Sequence, residues 1–383
     1  MKEISHNFLP EQYKLTNELP INHNYLPQQF QDSEEVIDEI RKLVVRGDFT
    51  LGSAVNEFEA EFKKISNARY AIGVGSGTDA LFLSLKALGI KEGDEVITTP
   101  YTFYATIGAI VTAGAIPKFV DIGSDYNIDS NLIEEAITSN TKAIVPVHWS
   151  GLICDMDSIR DIADRHKLSI VEDACHAINA KRNDKTAGSI GDTACFSMHP
   201  LKNLNVWGDG GIIVTNNKEL HDKLVLLRNH GLRDRDICDV FAYNSRLDTL
   251  QAIVGNHYIK KIDHITDMRI KNAHFYDKEL SDISQIEIPS RSPDVKQVFH
   301  LYCIRVRERD DLQKYLINNG IDAKVHYPIP MHLQPAAKDF GYAEGDFPIT
   351  EKLCKEVLSL PVHEFITEEQ MVFTVQKIKE FYS

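Results

Sequence analysis

No two of the six cysteines stand at a CxxC spacing, and no tight Cys/His spacing frames a zinc site. Scattered as Cys154, Cys175, Cys195, Cys238, Cys303 and Cys354, they read as free thiols of a reducing, cytoplasmic setting. Positive charge is scarce too. Lys and Arg total 42 against 56 Asp and Glu, a formal charge of -14. A broad attraction for nucleic acid or an anionic membrane face is therefore not expected, and any bound phosphate must be met locally. No apolar run approaches the ~20 residues of a membrane span. The opening "MKEISHNFLPEQYKLTNELP" lacks the apolar core of a signal peptide. The expectation is a soluble, cytoplasmic, metal-free protein without nucleic-acid or membrane partners.

What is present is ordinary in amount and ordered in pattern. The chain of 383 residues, 43% of them hydrophobic, suffices for one large core and a second, smaller unit. From about residue 70 it repeats an apolar β-rich run, a turn and an amphipathic helical stretch. The runs are "RYAIGVG", "DEVITTP", "IPKFVDI", "KAIVPVHW", "LSIVEDA", "TACFSM" and "GGIIVTNN". Several are apolar throughout, the mark of strands covered on both faces. The fold class expected is α/β, in three layers, with a mostly parallel central sheet and ligands outside the strand ends.

The rhythm stops at residues 243 to 283, which read as one or two long helices, and a smaller α+β unit follows. The boundaries expected are an arm over residues 1–35, a large domain over 36–255 and a small C-terminal domain over 256–383.

Four segments carry candidate chemistry. In "GVGSGTDALFLSLKALG" the glycines follow a strand and open a helix, so free N–H groups and the positive helix end suit a phosphate. Thr78 breaks the dinucleotide pattern, and a tight turn with Gly for sterics alone explains the same residues. In "SIVEDACHA" a strand ends in Glu172 and Asp173; an acid there either holds a ring nitrogen protonated or caps a helix. His176, one turn on, is a ligand or a packed histidine.

In "FSMHPLKNLNVWGDGG" Ser197 and Lys202 flank Pro200 at a strand exit. Desolvation there disfavours the ammonium form, which an imine-forming amine requires, whereas a solvated loop lysine needs none of this. In "TPYTFYATIGA" and "KVHYPIPMHLQPAA", Phe103 or Tyr104 offers a flat face and His326 and His332 offer polar groups; core packing accounts for the aromatics equally. A phosphate cradle, an acid for a ring nitrogen, a lysine and a stacking face together match pyridoxal 5'-phosphate.

Taken in order, "VEDACHA", "GDTACFSMHPLKNL", "GDGGIIVTNN", "LRNHGL", "YNSRLDTLQA" and "HYPIPMHLQPA" resemble the DegT/StrS-like sugar aminotransferases, fold type I enzymes dependent on pyridoxal 5'-phosphate, from about residue 35 onward. The resemblance implies that Lys202 carries the cofactor as an imine and shuttles protons, and that Asp173 pairs with the pyridinium nitrogen. It implies Gly77, Thr78 and Ser197 at the phosphate, Phe103 stacked on the ring, and Asn244 reaching the phosphate of a neighbouring subunit in a homodimer with shared sites. Tyr104, His326 and His332 are left as substrate candidates. Many relatives have "DAAQA" where this chain has "DACHA", so His176 replaces a glutamine beside the ring hydroxyl. Related sugar dehydratases carry histidine in place of the lysine, and here the lysine is kept. The function implied is amino transfer from L-glutamate to a nucleotide-linked keto-sugar. A dehydratase, a cyclitol aminotransferase and a non-catalytic regulatory protein are the alternatives.

Overall fold

The computed structural model describes residues 20–383. Of the expected arm, residues 1–19 lie outside the described residues. All seven apolar runs form strands of one sheet. These are β1 (Tyr70–Val74), β2 (Glu95–Thr98), β3 (Ile116–Phe119), β4 (Thr141–Ile144), β5 (Ser169–Asp173), β6 (Thr193–Ser197) and β7 (Gly211–Thr215). Their order is β1-β7-β6-β5-β4-β2-β3. All pairs are parallel except those of β7, which runs antiparallel to both β1 and β6.

The unbroken apolar pattern follows from this layering. Successive side chains of a strand point to opposite faces, and here both faces are covered. Ile170, Phe196, Ile212 and Val214 enter one core with Phe58 and Phe62. Val171, Cys195 and Ile213 enter the other with Leu81, Leu83 and Leu85. The covering helices include α1 (Glu34–Arg46), α2 (Ser53–Ser66), α3 (Gly77–Ala87), α4 (Tyr104–Thr112), α5 (Met156–His166) and α6 (Lys218–Leu227). Three of these helices, α3, α5 and α6, are capped by a side chain: the Asn217 oxygen, for instance, accepts from the Glu219 amide at 2.8 Å to cap α6.

The long helical stretch is two helices, α7 (Thr249–Tyr258) and α8 (Ile262–Leu280), separated by a 3-10 turn at Ile259–Lys261. Beyond it β8 (Ile286–Glu287), β9 (Tyr302–Val306) and β10 (Val357–Leu360) make an antiparallel sheet of three strands. With α8, it is packed by α9 (Arg309–Asn318) and α10 (Glu368–Tyr382) around Tyr276, Tyr302, Leu316, Leu358 and Ile378. Ile21 is buried in this same core. It reaches there through a parallel bridge to Ile321, so the first described residues cross to the unit made by the end of the chain. Among the described residues, no helix is long and apolar enough to cross a membrane.

α7 lies on α2 because Gly255 has no side chain. A Cβ there would stand 2.7 Å from Phe58 Cε2, well inside van der Waals contact. Gly255→Ala is expected to cost about 1–3 kcal/mol by overpacking. Adding Phe58→Leu should restore part of the loss, a non-additivity that the midpoints of urea unfolding followed by circular dichroism will show.

Candidate active site

The strands β1, β5 and β6 end at a cavity of about 300 Å³, closed on its far side by the small unit and by residues 23–25. Gly77, Thr78, Phe103 and Asp173 line it, as do His176, Ser197, Lys202 and His326. Eight of the residues singled out in sequence thus meet in one place.

One end of the cavity is the start of α3. The Ser76 hydroxyl oxygen accepts from the Asp79 amide at 3.0 Å. Among the described residues the amides of Gly77 and Thr78 make no hydrogen bond, and they stand at the positive end of the helix, where an anion is favoured. A Cβ on Gly77 would lie 2.7 Å from Ser197 Cβ, and one on Gly211 would overlap the Ser76 carbonyl. Both glycines answer to the same close approach, so the steric reading of this turn and the anion-binding one hold together.

The two acids of "VEDA" divide by the period of the strand. Glu172 is fully buried and accepts from His148 Nε2 at 2.9 Å, and from the amides of Gly188 at 2.8 Å, Ile190 at 2.9 Å and Gly191. Burial alone pushes its carboxyl up, but the His148 bond and the Gly191 and Gly188 amides outweigh this and hold it below its ordinary value. It is a fixture of the core. Asp173, on the cavity side, accepts from Thr106 Oγ1 at 2.7 Å and from the Cys175 amide at 3.2 Å. Thr106 bonds Thr102 Oγ1 in turn, at 2.8 Å. The capping alternative fails for Asp173, since residues 174–180 form turns and no helix. Trp149 is buried against Tyr101, with ring centroids 4.4 Å apart.

Lys202 sits in a loop closed by the Met198 amide to the Gly210 carbonyl and the Val206 amide to the Met198 carbonyl, both at 2.9 Å. Burial pushes its ammonium below the ordinary lysine value, while the neighbouring Cys175 and Asp173 oppose the shift. Phe103, 39% exposed, lines the cavity wall. His176 Nδ1 is buried without a hydrogen-bond partner among the described residues. Its ring centroid lies 4.3 Å from that of His300. Burial, and then the Lys202 charge, hold His176 well below the ordinary histidine value.

Three expected residues fall outside the lining. Tyr104 is 53% exposed, its ring 5.2 Å from that of Phe103. Asn244 is exposed, bridged to Asn229. His332 is corrected as a substrate candidate: it is buried, with Nε2 3.1 Å from Glu351 Oε1 and its ring against Phe347. The Glu351 pair and the apolar neighbour account for it as a packed histidine.

Others were missed. Thr106 had a signal, since Thr102 and Thr106 stand one turn apart beside the aromatic segment. His300, Arg269, Lys324, His363 and the trio His23, Asn24 and Tyr25 also line the cavity. Only tertiary folding brings them there.

The residues present fit a pyridoxal phosphate: a helix start with free amides and no Cβ in the way, an anchored buried acid, a desolvated lysine and an unpartnered imidazole nitrogen. The sequence profile of the DegT/DnrJ/EryC1/StrS aminotransferase family matches residues 31–379. The chain belongs to this family. It is an aminotransferase of α/β fold type I, and pyridoxal 5'-phosphate is the cofactor of the family. A pleiotropic regulatory protein of Geobacillus stearothermophilus is 44% identical to it over 350 residues, 91% of this chain and 93% of that protein. A dTDP-3-amino-3,4,6-trideoxy-alpha-D-glucose transaminase of Streptomyces venezuelae is 38% identical over 343 residues, 89% and 90% of the two chains. The solved structure of S. venezuelae DesV in complex with a ketimine intermediate superposes with a TM-score of 0.92 at 37% identity, covering 95% of this aminotransferase and 98% of that chain.

Two expectations follow for the aminotransferase. Gly77→Ala should weaken cofactor retention by about 10–100-fold, equivalent to the cost of one overpacked methyl, as read by dialysis against cofactor-free buffer and residual absorbance. Burial first, then the Lys324 cation for His23 and the His23 and Lys324 charges for His326, lower both imidazoles to about 3; burial and Arg269 bring His363 to about 4. With folded values below the unfolded ~6.5, the unfolded chain binds more protons in that window. Stability is therefore present above pH ~6.5 and lost as pH falls toward 4. Urea midpoints of the cofactor-free protein should decline from pH 7 to 4.5, and a flat profile would refute the assignment.

Proposed function

We propose that the chain moves the amino group of L-glutamate to a keto-sugar carried on a nucleotide, of the 3- or 4-keto-6-deoxy type, for an amino sugar of a surface polysaccharide or a glycosylated metabolite. It works in the cytoplasm as a homodimer with shared sites. The observation that carries this reading is the meeting of Lys202, Asp173 and the start of α3 in one cavity. The family membership and the transaminase relatives support it.

When bound, pyridoxal phosphate supplies an electron sink for the carbon that loses its proton. The residues of the chain do the rest. The Gly77 and Thr78 amides and Ser197 would hold the phosphate, joined by Asn244 of a second copy of the chain. The neighbouring Phe241, 98% exposed, is the kind of apolar surface that a second copy covers. Phe103 would stack on the ring and His176 would bond the ring hydroxyl. Asp173, its Oδ2 fixed by Thr106, would hold a proton at the ring nitrogen. Lys202 Nζ, its ammonium form disfavoured by desolvation, would take a proton from the donor's alpha carbon and deliver it to the cofactor carbon attached to the same nitrogen; for the acceptor the same transfer would run in reverse. The two half-reactions give ping-pong kinetics. His326, in the cavity, and Tyr104, at its rim, are the sugar-side candidates.

The 44% identical relative named as a regulatory protein keeps a second reading in play, a sensor without turnover. One experiment separates them. In a single turnover, cofactor-loaded protein mixed with L-glutamate should release one 2-oxoglutarate per subunit, and Lys202→Ala should slow this about a thousandfold, the scale of a lost acid-base group. Undiminished release by Lys202→Ala would overturn its role. No release by the unaltered protein would favour the sensor.

A further inference from the structure

We propose that Tyr25 is a positioning residue for Lys202, and that residues 21–30 form a strap coupling the lysine's loop to the small unit. The proposal rests on the reading of Lys202 as the cofactor-bearing residue. Tyr25 is buried, and its hydroxyl donates to the Lys202 carbonyl at 3.2 Å. Among the described residues no backbone amide donates to that carbonyl, so the phenol supplies a partner that the turn does not. The ring cannot easily swing away. It stacks on His363 with centroids 5.2 Å apart at 27°, and the Arg269 guanidinium carbon lies 5.0 Å from its centroid. Arg269 is itself fixed, donating through Nη1 to the carbonyls of Phe299 at 3.1 Å and His300 at 3.3 Å.

One helical turn later the strap grips the loop again. Gln29 and Asn205 exchange amide hydrogen bonds at 2.8 and 2.9 Å, and Asn205 Nδ2 also donates to the Pro200 carbonyl. Lys202 is thus flanked by two anchored points. At its other end the strap is bonded into the small unit. The Ile21 amide donates to Gly320 at 3.0 Å, the Asp322 amide to Ile21 at 2.9 Å and the His23 amide to Asp322 Oδ2 at 3.2 Å. His363 Nε2 meets the Asn22 carbonyl at 3.0 Å.

Between these anchors His23, Asn24 and Tyr25 line the cavity. A displacement of the small unit, or of the strap by a ligand in the cavity, is therefore passed to the backbone of Lys202. A proton-shuttling amine works only within a few tenths of an ångström of its geometry. Holding the carbonyl of the lysine itself is the most direct way to set it.

Tyr25→Phe keeps the ring on His363 and Arg269 and deletes only the hydroxyl. In the cofactor-free protein, amides 202–205 should exchange with deuterium about fivefold faster than in the unaltered chain, the effect of one lost hydrogen bond. In the loaded enzyme, kcat of the glutamate half-reaction should fall by about fivefold to tenfold with KM for glutamate unchanged. Gln29→Ala, which leaves Tyr25 in place, should speed the same amides. Unchanged exchange in both variants overturns the strap, and a loss expressed in KM instead of kcat overturns positioning in favour of substrate contact. Because exchange is read without cofactor or donor, failure of the proposal is separable from failure of the glutamate reading, which Lys202→Ala tests.

Discussion

The site depends on a backbone contact that only glycine permits. α3 begins against the junction of β6 and β7, with Gly77 over Ser197 and Gly211 under the Ser76 carbonyl. A single Cβ at either glycine pushes the helix start off the sheet edge. The free amides of Gly77 and Thr78, the Ser197 hydroxyl and the lysine loop between β6 and β7 then lose their common frame. Close approach and anion binding are not rival explanations of this turn, because the approach is what aims the amides.

Around that frame, polarity is sorted by the two-residue period of the strand. Glu172 turns into the core and is saturated by His148 and backbone amides. Asp173, its neighbour, turns to the cavity and is held at one oxygen by Thr106. A buried acid without partners takes up a proton. The bonds from His148 and the backbone amides are what keep the buried Glu172 carboxyl below its ordinary value.

The far wall has a different character. His23, His300, His326 and His363 enter the cavity from the strap and the small unit, and burial keeps each below the ordinary histidine value. The cations there are paired: Lys324 with Asp322 at 2.7 Å and Arg269 with Glu364 at 3.5 Å. The wall is thus rich in neutral hydrogen-bonding groups, and it is attached through the strap to the loop that bears Lys202.

The sequence by itself determined the layers and most of one wall. Seven apolar runs, several of them unbroken, pointed to strands covered on both faces, and the motifs around Asp173, Ser197 and Lys202 placed chemistry at strand exits, where a parallel sheet puts it. Those features are local or periodic, so they survive in one dimension. His332 looked equivalent to His326, yet one packs on Glu351 and Phe347 while the other faces the cavity, because a turn of a few residues decides orientation. Tertiary structure supplied the physical reason that Asp173 and not Glu172 faces the cavity, with Glu172 taken up by His148 and backbone amides. It also brought Tyr25 to Lys202, 177 residues away in sequence, and Ile21 into the core of the small unit. Contacts of that range depend on how two units pack, and no spacing along the chain records it.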